Sequence, residues 1–349
     1  MKWIKLALFT WLAICWMSCT SNDPKPYYKI TGETMGTYYA VSYQSTRMPS
    51  DIKSSVDSLL VQINGEVNTY DPNSTISQIN ASSEGEFSLD KFEHFKTNMA
   101  RAMYWYEQSE GYLDVSLMPL VNYWGFGYTP KKAVTSRDQQ QVDSLKAFVG
   151  LDMWSYDIDQ NIITKQAAGQ QLDFSSIAKG YAVDQVGELL ESFGITNYLV
   201  DIGGESTARG RKQNGSIWRM GINRPDPTAE LDDIVLILEL KDASLATSGN
   251  YRNYHEVNGQ KYGHTIDPFS GIPYQDSLLS VSVITAECID ADGIATACMA
   301  MGYDKASTFI ESLDDVTACY IIGRADGSLA TIFADGFIRY AVQSESDSL

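Results

Sequence analysis

Helical and extended periodicities share this chain without alternating one for one, and that arrangement constrains its fold more than any other feature. Apolar residues at the helical spacing of about 3.6 run from Ile52 through Val56, Leu59, Leu60 and Ile63 to Val67, with Ser50 placed to cap them. A second stripe starts near Leu89, passes through Phe92, Phe95, Met99, Ala102, Met103 and Tyr106, and stops at Gly111. Further helices are expected from Ser136 to Phe148 and from Ser175 and Ser176 to Gly194. Strand patterns fall at Tyr38–Ser42, Tyr198–Ile202, Ile234–Leu240 and Leu278–Ile284, with hairpin turns at Asn258-Gly259 and Asp326-Gly327. Because the strands cluster, the sequence predicts an α+β fold, with mixed or antiparallel sheets packed with helices in two intimately associated lobes, and not a doubly wound parallel sheet.

The N-terminus points to export. Lys2 and Lys5 precede an apolar run from Leu6 to Met17, and Ser18-Cys19 follows. A charged start, a short apolar stretch and a small residue make a secretory signal, and the stretch is too short to span a bilayer. We expect residues 1–18 to be a signal peptide and Cys19 the lipidated first residue of the mature protein. Trp16 and Met17 stand where such a site usually has smaller or aliphatic residues. Cys15 is a poorer candidate behind bulky Ile14, and a secreted protein with an incidental cysteine is the alternative. Residues 19–28 then read as a polar tether, 29–340 as the folded unit and 341–349 as a polar tail. The implied place is the bacterial cell envelope, lipid-anchored at the periplasmic face of the inner membrane.

Charge sharpens the question of ligands. The chain has 26 Lys and Arg against 44 Asp and Glu, a formal net charge of -18; residues 1–18 hold two lysines and no acids, so cleavage leaves 24 against 44, or -20. Nucleic acid and anionic membrane surfaces are poor partners for such a chain. A phosphate-bearing ligand needs local neutralisation, which a metal ion supplies. Beyond Cys19 only Cys288, Cys298 and Cys319 remain, so an ordinary core must hold the fold together without a disulfide framework.

Several segments could carry chemistry. In Ala291-Asp292-Gly293-Ile294-Ala295-Thr296-Ala297, Asp292 and Thr296 are spaced i, i+4 and share a helix face. A carboxylate with a hydroxyl suits Mg²⁺; a capping Asp and a Thr bonded to its own helix is the alternative. In Leu172-Asp173-Phe174-Ser175-Ser176-Ile177-Ala178-Lys179-Gly180-Tyr181-Ala182-Val183-Asp184, the serines open a helix whose N–H groups can receive an anion. Lys179 there opposes the helix dipole, which favours a ligand role over a solvated lysine. Val200-Asp201-Ile202-Gly203-Gly204-Glu205 runs a strand into paired glycines, and neither a Rossmann fingerprint nor a Walker A sequence occurs. In Gly263-His264-Thr265-Ile266-Asp267-Pro268, His264 could accept a proton from an attacking hydroxyl, or be structural. Met35, in Gly32-Glu33-Thr34-Met35-Gly36-Thr37-Tyr38, offers a polarizable sulfur to an aromatic ring, or to the core. The segments around Tyr70 and from Gly111 to Val115 read as ligand-lining loops or as turns with aromatic core. His94 and His255 have no assigned role.

In this order, the MGT segment, the DxxxxAKGYAVD run, the DIGGE turn, the HxIDPxxGxP stretch and the ADxxATA segment resemble the ApbE-type FAD:protein FMN transferases over residues 29–340. The resemblance implies Mg²⁺-dependent transfer of FMN from the substrate FAD to a threonine of partner proteins, typically flavin-carrying subunits of membrane redox complexes. It implies metal ligation by Asp292, Thr296 and the backbone carbonyl of Ser176, and contact of Lys179 with the FAD phosphates. Met35, Tyr70, Leu113, Asp114, Val115, Asp173 and Ile266 would line the flavin and adenylate site, with His264 and Asp292 serving the chemistry. Phe174-Ser175-Ser176 departs from the leucine, glycine and alanine more usual there. A Mg²⁺-dependent FAD pyrophosphatase and a non-catalytic FAD-binding lipoprotein are the competing readings. Self-flavinylation at the Asp326–Thr331 segment is poorly supported, because Leu329 stands where a small residue is expected.

Overall fold

Eight strands pair in the order in which the chain makes them. They are β1 (Tyr27–Thr34), β2 (Thr37–Gln44), β3 (Tyr198–Ile202), β4 (Glu205–Arg209), β5 (Ala243–Gly249), β6 (Leu278–Thr285), β7 (Thr317–Gly323) and β8 (Leu329–Phe333). Each is antiparallel to its neighbours, so the sheet is a meander from β1 to β8. The computed structural model describes residues 26–45, 51–129, 138–212, 214–226, 233–250, 254–257, 260–274 and 277–342. The expected signal peptide over residues 1–18, Cys19, Ser50, Ser136 and the expected Asn258-Gly259 turn lie outside them.

Antiparallel neighbours need no crossover helix, so the helices collect in the long connections. Between β2 and β3 come α1 (Ile52–Val67), α2 (Glu93–Gln108) and α3 (Ala178–Ser192); between β6 and β7 come α4 (Cys288–Met301) and α5 (Tyr303–Glu311). This is the α+β arrangement the clustered strands predict. The apolar residues of α1 that fit the helical period are the ones it buries: Ile52, Val56, Leu60, Ile63 and Val67.

Helix α4 sits at the centre. Every residue in it except Thr296 is buried, as expected of a helix with no polar face. It packs on β5 and β6 on one side and α3 on the other. The α3 contact is close enough to require glycine: a Cβ on Gly180 would lie 2.3 Å from the Cys288 carbonyl oxygen. The N-terminus of α4 has no side-chain cap of its own. Asp184 of α3 supplies one, accepting from the Cys288 N–H (2.9 Å) and the Ile289 N–H (2.8 Å). In the same first turn, Asp290 pairs with the Arg101 guanidinium through two hydrogen bonds and accepts from the Trp105 indole N–H at 2.7 Å, fastening α4 to α2.

Some boundaries differ from the sequence reading. The strand β1 takes in Tyr27 and Tyr28, which the sequence places in the tether; they pair with Gln44 and Tyr43, and Tyr28 stacks on Tyr43 at 5.5 Å. The polar tail likewise begins attached: Ala341 bridges to Leu238, and the Val342 N–H donates to the Ile237 carbonyl at 2.9 Å. The MGT segment is the tip of the β1–β2 hairpin. Met35 (φ 50°) and Gly36 (φ 71°) both take positive φ, as a type I′ turn requires. The helix expected from Leu89 starts at Glu93, and the one expected over 136–148 is Gln139–Lys146. Asp292 lies inside α4, which starts at Cys288, so it is not a capping residue.

Candidate active site

A cavity of about 580 Å³ opens between the β3–β4 turn, the start of α3, the Thr296 face of α4 and the end of β5. It lies within the range of small-molecule sites. Ten of the residues singled out from the sequence line it: Tyr70, Leu113, Asp114, Asp173, Ser176, Lys179, His264, Ile266, Asp292 and Thr296. They come from segments far apart in the chain, and the packing of α4 between α3 and the sheet brings them together. Met35 and Val115 are off the lining. Met35 packs on the main core from the hairpin tip, and Val115 is buried, with its carbonyl accepting the Asp173 N–H at 2.7 Å.

The charged floor of the cavity is built on α3 and α4. Asp292 is 3 % exposed, and its Oδ2 accepts the Gly180 N–H at 3.0 Å. Lys179 Nζ lies 3.9 Å from Asp292 Oδ1 and 2.6 Å from Glu205 Oε1. Burial pushes the Asp292 carboxyl up to about 7, with Lys179 pulling it down and Glu205 pushing it up. Burial alone would discharge Lys179, but Asp292 and Glu205 outweigh it and hold the ammonium charged. Thr296 Oγ1 is 3.3 Å from Ser248 Oγ of β5, so its hydroxyl faces the sheet side of the same cavity. Gly203 (φ 64°) and Gly204 (φ 109°) turn the chain between β3 and β4 and bring bare backbone to the wall.

Apolar side chains contribute to the cavity wall as well, among them Leu113, Leu117, Met118, Val121, Phe126 and Ile266. His264 stands beside Phe126, ring centroids 6.3 Å apart. Asp114 sits beneath this wall, 8 % exposed, accepting from the Ser116 N–H (2.7 Å) and hydroxyl (2.6 Å). Burial raises its carboxyl to about 6 against those two hydrogen bonds. Asp173 accepts from the Ser175 N–H (3.0 Å) and hydroxyl (2.8 Å), and burial raises its carboxyl as well. Tyr70, 66 % exposed, stands at the rim, edge-on to Tyr128 at 6.5 Å.

Residues 35–321 match the ApbE family. The chain is 34 % identical over 314 residues to the FAD:protein FMN transferase of Haemophilus influenzae, covering 88 % of this chain and 90 % of the relative.

The chain belongs to the ApbE family.

The fold agrees with solved members. The flavin transferase ApbE from Vibrio cholerae superposes with a TM-score of 0.81 at 31 % identity, covering 91 % of this chain and all of that one. The apo form of the Pseudomonas stutzeri flavinyl transferase ApbE gives 0.81 at 32 %, covering 92 % of this chain and 98 % of that one. Against this family background two residues stand out that the sequence reading left without a role. Glu205, the last residue of the DIGGE turn, is buried at 3 % exposure and ion-paired to Lys179. Asp184, the last residue of the DxxxxAKGYAVD run, caps the helix that carries Asp292. Their sequence signal was only that each ended a recognisable motif.

The residues present fit a hard divalent cation. Asp292 and Thr296 offer oxygen donors to one cavity, and the buried Glu205 Oε2 has no hydrogen-bond partner among the described residues. No group of three or more His, Cys, Asp or Glu placed to hold a metal occurs among the described residues, so a cation here would draw the rest of its shell from hydroxyl, carbonyl, water or substrate oxygens.

Proposed function

We propose that this protein transfers FMN from FAD to a threonine hydroxyl of an acceptor protein, releasing AMP, with Mg²⁺ as its cofactor. The single observation that carries this reading is the placement of one buried carboxylate, one ammonium and one hydroxyl, Asp292, Lys179 and Thr296, in one cavity that apolar side chains also line. An isoalloxazine ring suits the apolar wall, and a pyrophosphate suits the floor. The Haemophilus influenzae relative is an FAD:protein FMN transferase by name, which supports the transfer of FMN to a protein.

Asp292, Thr296 and the Ser176 carbonyl would hold the cation, which when bound supplies charge neutralisation at the pyrophosphate and its leaving group. Lys179 adds a positive charge on the same side, and the α3 N-terminus adds free N–H groups. The apolar wall orients the flavin and excludes water from the scissile bond. The acceptor oxygen forms the new bond to the FMN phosphorus, the bond from that phosphorus to the AMP oxygen breaks, and AMP leaves. His264, in the wall beside Phe126, receives the hydroxyl proton.

The acceptors we infer are flavin-carrying subunits of membrane redox complexes, met at the periplasmic face of the inner membrane by an enzyme tethered through a lipid on Cys19. Support for that place is the N-terminal sequence. No helix among the described residues is long and apolar enough to cross a membrane.

The test is intact-protein mass spectrometry of a candidate acceptor incubated with the enzyme, FAD and Mg²⁺. A mass increase of one FMN on threonine, with AMP released in equal amount, is the expected result. AMP and free FMN with an unmodified acceptor would establish hydrolysis in its place.

A further inference from the structure

We infer that Glu205 is a positioning residue that holds the Lys179 ammonium away from Asp292, so that the Asp292 carboxylate stays open to a divalent cation. The inference rests on the Mg²⁺ reading above.

Lys179 and Asp292 are neighbours by construction. The residue after Lys179 is Gly180, whose N–H already donates to Asp292 Oδ2 at 3.0 Å. A lysine rooted there reaches Asp292 Oδ1 easily, and a buried ammonium and carboxylate close to contact, about 2.8 Å, when nothing competes. In the structure they stand 3.9 Å apart. The competitor is Glu205, whose Oε1 takes the ammonium at 2.6 Å.

Position and burial make Glu205 effective. It follows the Gly203-Gly204 turn directly, so the sheet fixes its backbone at the cavity wall. Its side chain is 5 % exposed and that of Lys179 29 %, so water screens the ion pair only in part. Its second oxygen, Oε2, is buried without a hydrogen-bond partner among the described residues. A carboxylate kept only to brace the fold is expected to use both oxygens, because a buried unpartnered acceptor costs stability. A spare acceptor in a ligand cavity is instead available to donors that arrive with the ligand.

Without the Glu205 carboxyl, the ammonium is free to close on the Asp292 oxygen that the cation needs.

Calorimetric titration of Mg²⁺ into the folded protein without FAD tests this. Glu205→Gln is expected to weaken Mg²⁺ binding by about tenfold or more, the scale of losing a residue that orients a metal ligand. Adding Lys179→Met to Glu205→Gln should recover most of that loss, because the displaced ammonium is gone; a brace for the fold would show no such recovery. Glu205→Asp keeps the charge and should stay within about threefold of wild type. Unchanged Mg²⁺ binding in Glu205→Gln, or a double variant as weak as the single one, would overturn the inference. Wild-type protein that binds no Mg²⁺ would instead overturn the magnesium reading beneath it.

Discussion

The Asp184 carboxylate accepts the first two N–H groups of α4, from Cys288 at 2.9 Å and Ile289 at 2.8 Å, across 104 residues of chain. It fixes the start of the helix whose next turns present Asp292 and Thr296 to the cavity. Asp184→Ala leaves both donors buried and unpaired and should destabilise the protein by about 1–3 kcal/mol. Transfer activity should fall further than the loss of folded protein explains, since the face bearing Asp292 and Thr296 is no longer held in register. Chemical denaturation and an activity assay on the folded fraction check this together; wild-type stability in Asp184→Ala would remove the capping role.

At Gly180, α3 and α4 approach closely. Gly180→Ala would place a Cβ 2.3 Å from the Cys288 carbonyl oxygen, a backbone atom that cannot move aside cheaply. Helix propensity favours the substitution by about 1 kcal/mol, yet the clash should dominate and destabilise by about 2 kcal/mol or more. A lowered urea midpoint is the expected readout.

Four carboxyls, Asp114 and Asp292 buried and Asp184 and Asp201 half-buried, should make metal-free stability fall as pH rises. Burial raises Asp184 and Asp292 to about 7 and Asp114 and Asp201 to about 6. Each is therefore raised above its unfolded value of about 3.9, so its contribution is complete below that value and is lost as pH rises through 6–7. The melting temperature of metal-free protein should be higher at pH 5 than at pH 8. Asp184→Asn should flatten part of that slope, and Mg²⁺ at pH 8 should restore stability by binding ionised Asp292.

Thr296 is the one residue of α4 that is not buried, and its hydroxyl is 3.3 Å from Ser248 Oγ. Thr296→Val preserves the shape of the side chain and removes the oxygen. We expect a melting temperature within about 2 °C of wild type and a transfer rate lowered by about tenfold or more, with Thr296→Ser retaining most of the activity.

The parts of this site that were legible in the sequence are those set by local rules. The i, i+4 spacing of Asp292 and Thr296 needs only a helix, and α4 is a helix through both. Lys179 in the first turn of α3 was readable for the same reason. Glu205 and Asp184 were visible only as motif ends, because their partners Lys179, Cys288 and Ile289 are reached through the fold and not along the chain. The sheet was harder still. β4 (Glu205–Arg209) and the Ala243–Gly249 strand are rich in Ser, Thr and Gly that pair across the sheet or face the cavity, so neither shows an apolar alternation. Met35-Gly36 lacks the usual turn residues at its first position, which hid the β1–β2 hairpin and left Tyr27 and Tyr28 in the tether.

The most direct test of the central claim is the mass of an acceptor flavoprotein subunit after incubation with FAD and this enzyme, with Mg²⁺ or with a chelator. The account predicts one FMN added per acceptor threonine with Mg²⁺, none with the chelator, and none from Asp292→Ala under either condition. An FMN adduct formed at the wild-type rate by Asp292→Ala in the presence of chelator would contradict it.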